Sequence, residues 1–235
     1  MKSNYFTRTE MLLGCDCMSQ LFNSHVTVVG VGGVGGAVIE MLARSGVGQL
    51  TIIDFDIVDE TNINRQFVAL KSTIGLKKVD VWKKRILDIN PDCVVNAVCE
   101  KVNESNLTIT IPKCDVVVDA IDMVSSKIAL INYCKTNNLP VISAMGAGNR
   151  IDRPEFVVTD IYKTAGDGLA KVLRKKLREL GIESHTVVCS KNATITPIIQ
   201  TDAKIGSISY YPVMAGCVIA QAVIAKLTQN HLTSK

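Results

Sequence analysis

The amino-acid sequence predicts an α/β fold: a Rossmann-like, doubly wound, mostly parallel sheet with antiparallel additions in its C-terminal half. From His25 onward short β-branched runs alternate with longer segments of helical period, the order that builds a parallel sheet covered by helices. A glycine-rich turn joins the first strand to the helix that follows it. The 235 residues, 47% hydrophobic and 20% charged, suffice for one sizeable core and are too apolar for a disordered chain.

Residues 26–31 (VTVVGV) read as the first strand, 34–45 as a helix, 50–54 (LTIID) as the second strand and 77–90 as the next helix. In that helix Val79, Trp82, Ile86 and Ile89 recur at spacings of three, four and three and share one face. Lys78, Lys83, Lys84 and Arg85 are expected mostly on the other. Strands at 94–99, 115–120 and 140–144, with a helix at 125–137, continue the alternation. Beyond Gly146-Ala147-Gly148 the pattern changes: FVVTDIY, HTVVCS and SISYY read as strands and 167–180 as a helix, which allows antiparallel pairs. No repeat, low-complexity tract or long linker divides the chain.

The net charge of +4 is too small to define a nucleic-acid binder. Eight cysteines lie without paired C-x-x-C spacing, so no zinc site is expected. The sequence MKSNYFTRTEMLLG lacks a secretory pattern, and a cytoplasmic, reducing location with free thiols is expected. The run from Tyr210 to Leu227 approaches membrane length but contains Pro212, Gly216 and Gln221 and ends beside Lys226. It reads as a buried or interface helix, with no stable membrane insertion.

Gly30, Gly32, Gly33, Gly35 and Gly36 stand between strand and helix, where glycine lets backbone approach phosphate and the helix N-terminus presents unpaired N–H groups to an anion. Asp54, at the end of the next strand, is placed to accept ribose hydroxyls. The bland alternative is that the glycines serve only helix–strand packing. On these residues NAD and ATP are equally suited.

Further groups favour ATP: Asp54-Phe55-Asp56, Asn62-Ile63-Asn64-Arg65-Gln66, Gly75-Leu76-Lys77-Lys78 and Asp119-Ala120-Ile121-Asp122. Attack of a carboxylate on the α-phosphate brings anion to anion, so the site must supply cations and usually Mg²⁺. Arg65 and Lys78 are the candidate cations, and Asp122, just past a strand's C-terminal end, the candidate Mg²⁺ ligand; these three are also the candidate catalytic residues. The bland alternatives are a surface ion pair for Arg65, a solvated lysine for Lys78 and a helix N-cap for Asp122.

GVGGVGG, DFD, NINRQF, GLKK and DAID together resemble the ubiquitin-activating-enzyme-like adenylyltransferases. FTRTEMLLG, RSGVGQLTIIDFDIVDETNINRQF, VVDAIDMVSSKIALINYC, ISAMGAGN and KTAGDGLAKVLRKKLRELGI are most similar to the tRNA threonylcarbamoyladenosine dehydratases among them, across nearly the whole chain. That resemblance implies a carboxylate of modified tRNA activated by ATP as an acyl adenylate, then ring closure by the substrate's own carbamoyl group with loss of AMP. It implies Gly30, Gly32, Gly33 and Gly35 at the phosphates, Asp54 and Asp56 beside the nucleotide, Asn62, Arg65, Gln66 and Lys78 on the triphosphate, and Asp122 on Mg²⁺. It also implies a homodimer in which Arg8 enters the neighbouring subunit's site. One adenylating domain is then expected, with residues 1–24 an arm, 25–150 the nucleotide-binding core and 151–235 a substrate-side and dimerisation half.

The sequence departs from the sulfur-carrier activators of that family, which carry two C-x-x-C pairs. Residues 163–169 hold no cysteine, and Cys189 and Cys217 stand in apolar surroundings that favour inert packing over a thioester step. Leu169, Val172, Leu173, Leu177 and Leu180 predict an apolar stripe on a helix whose Lys171, Arg174, Lys175 and Arg178 form a tRNA-binding candidate or simply a solvated face. The competing readings are adenylation of a ubiquitin-fold carrier at its C-terminal glycine, an NAD-dependent oxidoreductase, and a nucleotide-binding regulator without catalysis. A sulfur-transfer protein partner and a bound monovalent cation stay open.

Overall fold

A computed structural model describes residues 4–199 and 205–228. In chain order the elements are α1 (Thr7–Asn23), β1 (His25–Val29), α2 (Gly33–Arg44), β2 (Gln49–Ile53), α3 (Lys78–Ile89) and β3 (Val94–Val98), followed by the short α4 (Leu107–Thr110). Then come β4 (Val116–Asp119), α5 (Val124–Thr136), β5 (Val141–Ala144), β6 (Phe156–Asp160), α6 (Gly168–Glu179), β7 (Thr186–Ser190) and α7 (Tyr210–Leu227). The strands form one sheet in the order β3-β2-β1-β4-β5-β7-β6. All neighbours are parallel except β6, which runs antiparallel to β7 with Val158 opposite Val188.

The chain winds outward from β1 in one direction and from β4 in the other. Val29 therefore pairs with Ile53 on one side and with Asp119 on the other, and the loops after β1 and β4 part at the carboxyl edge. Such a topological switch point leaves a crevice where ligands bind in open α/β sheets.

The inner strands are buried on both faces, as expected for a sheet covered on both sides, whereas the edge strands β3 and β6 are partly exposed. One core cluster joins Val26, Val28, Leu50 and Ile52 to Ile39, Leu42, Val79, Trp82, Ile86, Ile219 and Val223. α2 is wedged between α3 and α7. Gly216 of α7 faces Ala37 and Val34 so closely that a Cβ would lie 2.5 Å from Ala37 Cβ and 2.5 Å from the Val34 carbonyl. Across the α2–α3 seam, buried Glu40 accepts from Arg44 at 2.7 Å and Arg85 at 2.6 Å.

Three expectations are corrected. Ser207-Ile208-Ser209-Tyr210-Tyr211 is not a strand: α7 begins at Tyr210, because Tyr211 is buried against Phe156 and its hydroxyl donates to Asn192 Oδ1 at 2.7 Å. Pro212 falls in the first helical turn, where a missing N–H loses no helical bond. Lys78 does not face outward but is 5% exposed, turned into the protein by its ion pair with Asp56. In α6 the buried stripe is Ala170, Leu173 and Leu177; Val172 and Leu180 are both 46% exposed.

α7 is long and apolar enough to cross a membrane by length and composition alone. Here one face, carrying Tyr211, Ala215, Gly216, Ile219, Ala220 and Val223, is buried in the protein. The Gly216→Ala variant should force α7 away from α2 and cost about 1–3 kcal/mol. A thermal melt should show a midpoint lower by about 2–4 °C for each kcal/mol lost, whereas an unchanged midpoint would mean the contact yields freely.

Candidate nucleotide-binding and catalytic site

β1 delivers the chain to Gly30 at φ +85, a left-handed conformation suited to glycine. Space excludes a side chain as well: a Cβ on Gly30 would sit 2.6 Å from the Ala120 carbonyl oxygen, and one on Gly35 would sit 1.8 Å from the Gly30 carbonyl oxygen. The next residue, Val31, is clamped through both of the peptide groups that flank it. Val31 N–H donates to Asp54 Oδ2 at 2.8 Å, and the Val31 carbonyl accepts from the Trp82 indole at 3.1 Å. Asp54 Oδ1 accepts from Asp56 N–H at 2.9 Å, so one carboxylate joins the loop after β1 to the loop after β2.

α2 starts at Gly33, with Gly32 at its N-cap and no side chain capping it. The first helical bond recorded there is Gly36 N–H to the Gly32 carbonyl at 2.8 Å. The uncapped terminus thus presents amide N–H groups and the positive end of the helix dipole to the crevice, as an anion site requires. Gly32 looks toward Gln66, and Gly33 toward Pro212 and the Arg65 carbonyl.

Asn62 and Gln66 are buried on the wall opposite the loop. Asn62 Oδ1 accepts from Asp59 N–H at 3.2 Å, closing a capping box around residues 60–62. Gln66 turns its amide nitrogen toward Gly32, and its Oε1 is buried with no hydrogen-bond partner. Arg65 Nη1 donates to the Thr61 carbonyl and to Asn64 Oδ1, both at 2.8 Å. It forms no ion pair among the described residues, so its charge is oriented by neutral acceptors and stays unneutralised. Lys78 differs: its Nζ donates to Asp56 Oδ2 at 2.8 Å, and its backbone N–H to the Asp56 carbonyl at 3.1 Å.

Asp122 is exposed past the end of β4 and does not cap α5, whose N-cap position is Met123. Among the described residues no three His, Cys, Asp or Glu side chains come together as a metal cage. Hydrogen bonds and close packing thus link the glycine loop with Asp54, Asp56, Gln66, Lys78 and the turn through Ala120. Arg8 is exposed on the first turn of α1, outside this linked set.

On α6, Lys171 and Lys175 are exposed. Arg174 is committed to the Thr164 carbonyl at 3.0 Å and to Thr164 Oγ1, and Arg178 stacks on Tyr162 with its guanidinium 4.9 Å from the ring centre. Burial pushes the Cys189 and Cys217 thiols up, which disfavours the thiolate a covalent step would need.

Sequence reasoning missed two buried networks beside the site. Asp119, Lys127, Ser143 and His185 form one. Lys127 carried a signal, since it shares the helical phase of Leu130, Ile131 and Cys134 and so had to enter the core. In the other, Arg150 and Asp167 are nearly fully buried; Arg150 Nη1 donates to the Gly146 carbonyl at 2.8 Å, and Asp167 accepts from Gly146 N–H at 3.1 Å and Ala170 N–H at 2.9 Å. This ties the loop after β5 to the start of α6.

A glycine loop ending in a free helix N-terminus at the switch point defines a Rossmann-type nucleotide-binding protein, and the chain belongs to the ThiF family, whose model matches residues 6–235. It is 44% identical to the tRNA threonylcarbamoyladenosine dehydratase of Bacillus subtilis, over 85% of this chain and 78% of that protein. It is 37% identical to the enzyme of the same name from Escherichia coli, over 94% of this chain and 80% of that protein. The crystal structure of the E. coli tRNA N6-threonylcarbamoyladenosine dehydratase in complex with AMP superposes with a TM-score of 0.91 at 35% identity, covering 100% of this chain and 99% of that one. The same enzyme in complex with ATP gives 0.90 at 33% identity, with all of both chains covered.

The buried network carries a pH consequence. Burial, reinforced by the charges of Lys135 and Lys127, lowers the His185 pKa from 6.5 to about 3. As pH falls below 6.5 the unfolded chain binds a proton that the folded protein refuses, so this contribution to stability is present above 6.5 and lost between 6.5 and about 3. Denaturant titrations across that window should show stability falling with pH, and the His185→Gln variant should flatten part of the fall. Identical pH profiles for both proteins would contradict the assignment.

Proposed function

We propose that this chain is an ATP-dependent tRNA threonylcarbamoyladenosine dehydratase. ATP activates the threonyl carboxylate of N6-threonylcarbamoyladenosine as an acyl adenylate with release of pyrophosphate. The substrate's own carbamoyl group then attacks the activated carbonyl, closes a ring and expels AMP, so that the base loses one water. The tethered nucleophile makes the second step intramolecular, which supplies effective molarity without an enzyme thiol.

One observation carries the reading: the uncapped N-terminus of α2 packs beside the Arg65 backbone, and the Arg65 guanidinium has no acidic partner among the described residues. Relatives of that name match over most of this chain, and one has been solved with AMP and with ATP. In this reading the amides of the loop and α2 bind the phosphates, with Arg65, Asn62 and Gln66 alongside. Asp54 meets the ribose while its inner face holds the loop. Lys78, held by Asp56, adds positive potential at the triphosphate. Asp122 would hold Mg²⁺, which supplies charge neutralisation at the phosphate oxygens when bound. Arg8 completes the site of a second copy in a homodimer, and the modified tRNA, a cytoplasmic substrate, meets Lys171 and Lys175 on α6. A sulfur-transfer protein is a further candidate partner.

Mass spectrometry of nucleosides from modified tRNA incubated with enzyme and ATP should show a product lighter by one water. Arg65→Ala and Asp122→Ala should each reduce its rate by about a hundredfold or more while the protein stays folded. ATP–pyrophosphate exchange that responds to a small ubiquitin-fold carrier and not to tRNA would replace this reading. Reversing charge with Lys171→Glu and Lys175→Glu should raise KM for tRNA and leave ATP binding unchanged; unaltered tRNA kinetics across a salt series would remove α6 from the tRNA surface.

A further inference from the structure

Beneath the turn from β4 to α5 four polar side chains from separate parts of the chain meet out of reach of solvent. Asp119, Lys127 and Ser143 are fully buried and His185 is 1% exposed. Lys127 Nζ donates to Asp119 Oδ2 at 2.8 Å and lies 3.4 Å from the Asp119 carbonyl oxygen. Ser143 Oγ donates to the same carboxylate oxygen at 2.6 Å, and His185 Nε2 lies 2.8 Å from Ser143 Oγ.

The proton directions follow from the inventory of donors. An ionised Asp119 only accepts, so the single hydroxyl proton of Ser143 points at it and Ser143 must accept from His185. The imidazole is then the neutral Nε2–H tautomer, and its Nδ1 is a buried acceptor with no partner. Apolar side chains of matching size often fill such positions with no loss of stability, or with a gain. Stability therefore does not account for an ion pair here.

Geometry does. Asp119 is the last residue of β4, and its Oδ1 accepts from Ile121 N–H at 3.2 Å, which bends the chain toward Asp122. Ala120, inside the same bend, is the wall against which Gly30 packs. α5 has no side-chain N-cap, and Lys127 in its first turns ties it back to the strand end.

We propose that Asp119, Lys127, Ser143 and His185 form a positioning network for the adenylation site, touching no substrate and fixing where Asp122 stands relative to the phosphate loop. The proposal rests on the reading of Asp122 as the metal-side carboxylate. Calorimetry of ATP binding with and without Mg²⁺, paired with thermal melts, tests it without requiring turnover.

The Asp119→Leu/Lys127→Met double variant removes both charges at similar volume. It should fold, melting several degrees below the wild type because Ser143 Oγ–H and Ile121 N–H lose their acceptor, and bind metal-free ATP within about twofold, while the gain in affinity that Mg²⁺ brings falls by about tenfold. A full Mg²⁺ gain in the folded variant, or an equal loss of metal-free ATP binding, would overturn the proposal. Should the double variant not fold, His185→Phe against His185→Gln decides. Phe keeps ring bulk without a donor and should lose part of the Mg²⁺ gain, whereas Gln keeps a donor toward Ser143 and should restore it; equal behaviour overturns the proposal. Asp122→Ala separates the two readings. If it keeps the Mg²⁺ gain while the double variant loses it, the metal reading of Asp122 fails and the network's control of the site stands; if both keep it, the network fails too.

Discussion

Everything at this site depends on one clamped residue, Val31. The amide of Val31 donates to Asp54, and its carbonyl accepts from Trp82, so the backbone just before α2 is held from opposite sides by groups on β2's exit and on α3. With Val31 fixed, the backbone that leads into α2 is fixed as well, and the uncapped start of α2 lies at the crevice where β1 and β4 part. A phosphate-binding helix terminus needs no charged side chain of its own, because partial charges on oriented amides supply the field.

The arrangement of true charges follows from this. Lys78 is buried and paired with Asp56, which holds the loop after β2 against the start of α3. Arg65 is positioned by two neutral oxygens and has no acidic partner among the described residues. Arg85 and Arg44 are taken up by Glu40, and Arg174 by Thr164, so several basic residues that look equivalent in sequence are not equivalent in space.

Much of the fold was legible because local and global signals agree. Alternating β-branched and helical segments gave most strands and helices nearly to the residue, and the glycine turn marked the junction where β1 passes into α2. The errors share a physical origin, since tertiary partners decided them. Tyr210 and Tyr211 have strand propensity, yet Tyr211 is claimed by Phe156, Ser190 and Asn192 and so starts a helix. Lys78 belongs to a run of basic residues and only Asp56, distant in sequence, draws it inward. Val172 and Leu180 lie at the margins of a stripe that Ala170, Leu173 and Leu177 already fill. The network under Asp122 joins residues 119, 127, 143 and 185, and only the helical phase of Lys127 hinted that a charge had to be buried there.

The most direct measurement is a crystal structure with Mg²⁺ and a non-hydrolysable ATP analogue. The account predicts triphosphate oxygens within hydrogen-bonding distance of the amides at Gly32 to Gly35 and of the Arg65 guanidinium, with the ribose beside Asp54. A nucleotide bound elsewhere, or phosphates that leave the α2 terminus untouched, would contradict it.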